Sequence, residues 1–181
     1  MKIPDYIKNL PKGYDAPIYK GLKLKSSIDR FLKLVGKGNV IIEFGSGTGR
    51  DADYMESKGY KVVRTDSEKE FIGFQAEKGK KVLKLNLKNG NTLSFKDMNA
   101  AFVSCVFGLF SWSDIQKSFN TIFQILRHNA FFYFNVPCEW AESDIIIICK
   151  SGGFKINKII KDAVWYHVIC QRKLLFIKHK A

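Results

Sequence analysis

Val40-Ile41-Ile42-Glu43-Phe44-Gly45-Ser46-Gly47-Thr48-Gly49-Arg50-Asp51 is the stretch on which the reading of this chain turns. A β-branched apolar run closes on a carboxylate, and three alternating glycines then lead into a helix-compatible segment. A strand feeding such a loop lets the backbone approach a ligand closely, because glycine has no Cβ and accepts positive φ. The helix that follows points its free N–H groups at the same spot. Asp66, seventeen residues past Gly49, ends a second apolar strand, where an acid that holds ribose hydroxyls is expected in a nucleotide-type fold. These features predict a ligand that contains a nucleoside.

The loop also bears on which one. Gly47-Thr48-Gly49-Arg50-Asp51-Ala52 satisfies the looser form of the dinucleotide fingerprint G-x-G-x-x-G/A. Glu43 and Asp51, however, place carboxylates beside a loop that would have to hold an anionic pyrophosphate. Those charges suit a cation. S-adenosyl-L-methionine carries an ammonium and a sulfonium and no phosphate, so it is attracted where a dinucleotide is repelled.

Glu43-Phe44-Gly45-Ser46-Gly47-Thr48-Gly49 resembles motif I (E/D-x-G-x-G-x-G) of the class I S-adenosylmethionine-dependent methyltransferases. Gly59 to Ser67 is similar to their second strand, with the ribose acid at Asp66, and Leu126 to Phe134 is similar to their L-K-P-G-G-x-L segment entering strand five. There His128-Asn129-Ala130 replaces Pro-Gly-Gly, an atypical turn. Gly152-Gly153-Phe154 resembles the A-G-F that leads into strand six, so the likeness runs from about Asn39 to Arg172. The Gly49-Arg50-Asp51-Ala52 run is similar to that of small stand-alone members. The resemblance implies an α/β, Rossmann-like, seven-stranded and mostly parallel sheet. Its order would be 3-2-1-4-5-7-6, with strand seven antiparallel and helices on both faces.

Length and composition agree with one structural domain: 181 residues, 46% hydrophobic and 26% charged. Residues 1–38 read as an N-terminal lid segment and helix, and residues 39–181 as the cofactor-binding core. The first residues lack the apolar stretch of a signal peptide, and Ile145-Ile146-Ile147-Ile148 is far too short to span a bilayer. Four cysteines without C-x-x-C spacing predict reduced, mostly buried thiols, a cytoplasmic setting and no metal. The net charge of +13 is carried mainly by scattered lysines, with arginine only at positions 30, 50, 64, 127 and 172, a pattern that reads as solvated surface. The runs Lys20 to Lys25 and Lys78-Gly79-Lys80-Lys81 are the places where RNA would bind if the charge had that purpose.

Periodicity predicts helices over Leu22 to Val35, Arg50 to Lys58, Ser67 to Glu77 (with Ser67 and Glu70 as a capping box), Ser113 to Leu126 and Glu142 to Ser151. Strands are expected at Val40 to Phe44, Lys61 to Thr65, Lys81 to Leu85, Ala100 to Val106, Ala130 to Val136, Lys155 to Ile160 and Val164 to Gln171. The last two, joined by a short turn near Asp162, must be antiparallel.

Ligands of such sheets bind at the carboxyl ends of the strands. That rule and the resemblance nominate Glu43, Gly45, Ser46, Gly47, Gly49, Asp66, Ser67, Asn86, Leu87, Cys105 and Val106 as cofactor residues. Glu43 would meet the ammonium, directly or through water, unless the loop's own amides satisfy it. Asp66 would accept the ribose hydroxyls unless it caps the next helix. Asn86 would accept from the adenine amino group, and Cys105 and Val106, ending strand four, would touch the donor by backbone. A base is needed only for a protonated nucleophile; Asp114, itself a candidate helix cap, and Trp112 are the candidates after strand four. Phe110, Trp112 and Trp140 could stack a substrate ring, and Tyr14 and Tyr19 could close over the cofactor. The expected activity is methyl transfer to a small-molecule acceptor, with RNA methylation as the alternative and an inactive cofactor-binding module as a further one.

Overall fold

The computed structural model describes Asn9 and residues 21–89 and 95–173. In chain order its helices are α1 (Leu24–Val35), α2 (Arg50–Ser57), α3 (Lys69–Ala76), α4 (Trp112–Ile125) and α5 (Glu142–Ser151). The strands are β1 (Val40–Phe44), β2 (Lys61–Asp66), β3 (Val82–Lys84), β4 (Met98–Val103), β5 (Leu126–Pro137), β6 (Phe154–Lys161) and β7 (Trp165–Arg172). They form one sheet in the order β3-β2-β1-β4-β5-β7-β6. The first five pair in parallel, and β7 runs antiparallel to both β5 and β6. This is the expected topology. Tyr14 and Tyr19 lie outside the described residues.

Strand side chains alternate between faces with a period of two, which divides the core. Ile42, Phe44, Ala101, Val103, Phe132, Phe134 and Val168 meet Ile115, Phe119 and Ile122 of α4 and Ile145 and Ile148 of α5. Ile41, Ala100, Phe102, Tyr133 and Ile169 point to the other face, against Leu24, Ile28, Phe31 and Leu32 of α1 and Met55 of α2. Both sides of the sheet are thus dry, which is why its central strands read as continuous apolar runs. The amphipathic spacing of α1 buries Leu24, Ile28, Phe31, Leu32 and Val35 and leaves its lysines in water.

Several boundaries differ from those expected. β4 ends at Val103, not Val106, because Cys105 takes φ 60° and donates its N–H to the Asn135 Oδ1 at 2.6 Å, leaving the ladder. Cys105 and Val106 therefore stand on the loop after the strand. β5 starts at Leu126, not Ala130: Leu126 already pairs with Met98, and the register slips between Met98 and Ala100. Asn129 absorbs that slip at φ 61°, a conformation asparagine tolerates, so the atypical segment is a strand irregularity and not a turn. The capping box on α3 does not form. Glu68 is the N-cap and its side chain bonds the Ser67 hydroxyl, while Asp66 takes the Glu68 N–H. On α4 the cap is Ser111, which accepts the Asp114 N–H at 3.2 Å, so Asp114 is not the cap.

Candidate cofactor site

The carboxyl ends of β1, β2, β3 and β4 open onto one cavity of about 740 Å³, a size ordinary for small-molecule and cofactor sites. Gly45, Ser46, Gly47 and Thr48 form its floor, with Arg50 and Asp51 from the first turn of α2. Asp66, Ser67 and Glu68 follow β2, Phe71 comes from α3, and Leu85, Asn86, Leu87 and Lys88 follow β3. Ser104, Cys105, Val106, Leu109 and Phe110 follow β4. Leu22 and Leu24 at the start of α1, and Val164 and Trp165 at the β6–β7 turn, complete the wall.

Nine of the eleven nominated cofactor residues line this space: Gly45, Ser46, Gly47, Asp66, Ser67, Asn86, Leu87, Cys105 and Val106. Gly49 and Glu43 do not. Gly49 is the N-cap of α2 at φ 85°, a turn position. Gly45 sits at φ 71°, and a Cβ there would lie 2.5 Å from Val106 Cγ2, so the loops after β1 and β4 touch only because this residue is glycine.

Glu43 is buried behind the loop, 2% exposed, and its Oε2 has no hydrogen-bond partner. No amide of the loop satisfies that oxygen. Arg64 is its register neighbour on β2, but the guanidinium is committed to Asp53, Glu56 and Gln75. Burial raises the Glu43 pKa well above the usual 4.5, the Asp51 charge raises it further, and Arg64 and Arg50 only partly oppose this. Asp66 is buried too. Its Oδ2 accepts the Gly47 N–H at 2.7 Å and its Oδ1 the Glu68 N–H at 2.9 Å, so one carboxylate ties the glycine loop to the end of β2. Burial moves its pKa upward, against the pull of those two amides.

Asn86 lines the cavity while its Oδ1 accepts the Lys88 N–H at 3.0 Å, fixing the short 3₁₀ turn Leu87–Asn89. Neither catalytic candidate reaches the cavity wall. Trp112 is 40% exposed and packs against Trp140 at 5.6 Å between ring centroids. Asp114 faces Lys88 at 3.8 Å, and that lysine in turn lies over the Phe110 ring. Of the aromatic residues named after strand four, only Phe110 enters the lining.

Arg50, Leu22, Leu24, Val164 and Trp165 also line the wall without having been nominated, and Asp51, read from the sequence as a carboxylate beside the loop, lines it with them. Arg50 could have been found, since it stands between the last loop glycine and Asp51. Arg50 Nε and Asp51 Oδ1 stand 2.5 Å apart, both largely buried. The others reach the site only through the sheet order. A further buried network holds them there. Asp162 accepts the Lys23, Val164 and Trp165 N–H groups and contacts His167 Nε2 at 2.8 Å. His167 Nδ1 meets the Tyr133 hydroxyl at 2.8 Å. Burial lowers the His167 pKa, so the ring is neutral, with Nε2–H donating to Asp162 and Nδ1 accepting from Tyr133. This clip fastens the start of α1 to the β6–β7 turn, the two sides of the cavity mouth.

Comparison with known proteins agrees with this geometry. The family model described as "Methyltransferase domain" matches residues 42–134. No curated protein matches the chain significantly. Among solved structures, the PH0226 protein from Pyrococcus horikoshii is 12% identical, with 95% of this chain and 100% of that one covered at a TM-score of 0.76. A SAM-dependent methyltransferase from Aquifex aeolicus is 16% identical, with 94% and 99% covered at 0.73. The magnesium protoporphyrin IX methyltransferase of Synechocystis, solved with bound SAM, is 13% identical, with 87% and 85% covered at 0.69.

Proposed function

Because this chain belongs to the S-adenosylmethionine-dependent methyltransferases, we propose that it transfers the methyl group of that cofactor to a small-molecule acceptor. The observation that carries the choice of acceptor is the mouth of the cavity, which is apolar. Leu22, Leu24, Leu109, Val164 and Trp165 line it, and Leu109 and Val164 are left 80% and 43% exposed. Large apolar side chains beside a cleft favour a compact, partly apolar ligand over a phosphate backbone.

The basic residues support the same reading, since an RNA acceptor requires a track of cations free to meet phosphates. In the cavity Arg50 is paired with Asp51, and Lys88 lies against Phe110 and near Asp114. In the lysine runs, Lys80 binds Glu56 at 2.8 Å, Lys78 covers the Phe74 ring and Lys23 Nζ donates to the Lys161 carbonyl.

The residues fit the cofactor. The positive-φ glycines let the backbone of Gly45 and Gly47 approach the methionine moiety, and Asp51 puts negative charge beside its ammonium, while Glu43 stays buried behind the loop. Asp66 keeps lone pairs for the ribose, and Asn86 and Leu87 flank the adenine. When bound, the cofactor supplies a methyl group on a positively charged sulfur. The chain's part is to orient, and holding nucleophile and methyl in line is worth about 7–11 kcal/mol of a barrier. The apolar mouth excludes water from that line, and the backbone at Cys105 and Val106 stands beside it.

Calorimetric titration with S-adenosylhomocysteine tests the seat. Asp66→Ala removes at least one charge-assisted bond of about 1.5–3 kcal/mol, so the Kd should rise about 10- to 150-fold. An unchanged Kd would remove Asp66 from the ribose site. Labelled-methyl transfer from S-adenosylmethionine over separate metabolite and tRNA pools tests the acceptor. Label in the metabolite pool is expected, and label in tRNA alone would overturn the small-molecule reading.

A further inference from the structure

Arg64 is a charged residue in the middle of a parallel strand, and it is 3% exposed. Its guanidinium donates to Asp53 Oδ1 at 2.6 Å and Glu56 Oε1 at 3.0 Å on α2, and to Gln75 Oε1 at 2.8 Å on α3. Gln75 is fully buried. Its Nε2 donates to the Gly47 carbonyl at 2.8 Å and to the Ser46 hydroxyl oxygen at 2.9 Å. Arginine has only donors and a carbonyl only accepts, so the orientation of this amide is forced: oxygen toward Arg64, nitrogen toward the loop.

Two consequences follow for the glycine loop. Gly47 is held on both sides, its N–H by Asp66 and its C=O by Gln75, so the peptide planes flanking it cannot turn independently. Ser46 receives a hydrogen bond from Gln75, which leaves its own hydroxyl hydrogen for another acceptor, and Ser46 lines the cavity. The same pair accounts for Gly49. A Cβ there would lie 2.7 Å from Arg64 Nη1 and 2.8 Å from Gln75 Oε1, so the third glycine makes room for the prop and not for the cofactor.

We infer that Gln75, anchored by Arg64, is a positioning residue for the cofactor: it fixes the Gly47 peptide and sets Ser46 to donate into the cavity. The inference rests on the loop being the cofactor's seat. Gln75→Glu is the discriminating variant. It keeps the size and the acceptor for Arg64, and it replaces the loop-facing donor by an oxygen that repels the Gly47 carbonyl and draws the Ser46 hydrogen away from the cavity.

The test is the Kd for S-adenosylhomocysteine by calorimetry, well below the unfolding temperature, with thermal unfolding of the ligand-free proteins alongside. Gln75→Glu should raise the Kd about tenfold in fully folded protein. Glu56→Gln removes one charge beside Arg64 but keeps an acceptor for it, so that Asp53 and the amide still hold the guanidinium against Gln75; it should lower the unfolding temperature and leave the Kd unchanged. Ser46→Ala should raise the Kd severalfold, and in the double variant with Gln75→Glu the two effects should combine to less than their product. A Gln75→Glu Kd equal to that of the parent protein, or an equal rise in Glu56→Gln, would overturn the positioning role. If Gln75→Glu does not fold, an unchanged Kd in Ser46→Ala overturns it instead. A parent protein that does not bind at all would overturn the seat itself, a result distinct from these.

Discussion

Glu43→Gln separates burial of a carboxyl from every other pH effect in this protein. Glu43 is 2% exposed with an unpartnered oxygen, and burial, reinforced by Asp51, holds its pKa well above 4.5 in the folded state. Between pH 4.5 and that raised value the folded chain keeps a proton that the unfolded chain has lost. Stability therefore falls as pH rises through this window, by up to about 1.4 kcal/mol per pH unit from this one group. Below 4.5 the carboxyl is neutral in both states and the effect vanishes. Glutamine has the same shape and no proton to lose. The stability of Glu43→Gln minus that of the parent should stay flat at acid pH, climb through the window and then level off. Urea denaturation of the ligand-free proteins at half-unit steps from pH 4 to 8.5 gives the difference directly, and contributions common to both, such as Asp66 and His167, cancel. A difference that stays constant over the whole range would show that Glu43 titrates normally and that the loop's electrostatics are not as argued.

Gly45→Ala brings a Cβ to 2.5 Å from Val106 Cγ2 at φ 71°. The backbone alone costs about 1–2 kcal/mol, so a drop of at least that size is expected in urea denaturation, with weakened S-adenosylhomocysteine binding as Val106 yields. Asp162, held at a pKa of about 2 by bonds from His167 and the Val164, Lys23 and Trp165 amides, against a desolvation that pushes the other way, has the opposite sign to Glu43. Its stabilisation is complete above its ordinary 3.8 and is lost as pH falls through about 2, so Asp162→Asn should cost about 2 kcal/mol at pH 7 and progressively less at acid pH. The check is the same titration, and a penalty independent of pH would sink the assignment.

How much of this was legible from the chain depends on whether the contacts are local. Val40 to Asp51 carries its strand, its turn and its helix start within a dozen residues, so both the fold and the loop could be read from it. The boundaries shifted through partners outside the segment itself: Asn135 pulled Cys105 off β4, and Asp66 took the Glu68 amide while the helix began at Lys69, past Ser67. The mouth residues Leu22, Val164 and Trp165 meet only after the whole sheet is assembled. Arg64 and His167 did leave a signal, as polar residues inside the apolar strands Lys61–Asp66 and Trp165–Arg172. Which partners would justify their burial was not written nearby.

The outermost strand gives part of the +13 charge a role that involves no partner at all. β6 lies at the margin of the sheet, with no strand beyond it among the described residues. Its outer backbone groups are a template on which another chain could polymerise. Lys155, Lys158 and Lys161 are exposed along it, and the register breaks between Ile156 and Lys158. A kinked margin studded with like charges repels its own copies. These three lysines thus act as a guard against aggregation, one that added salt would weaken.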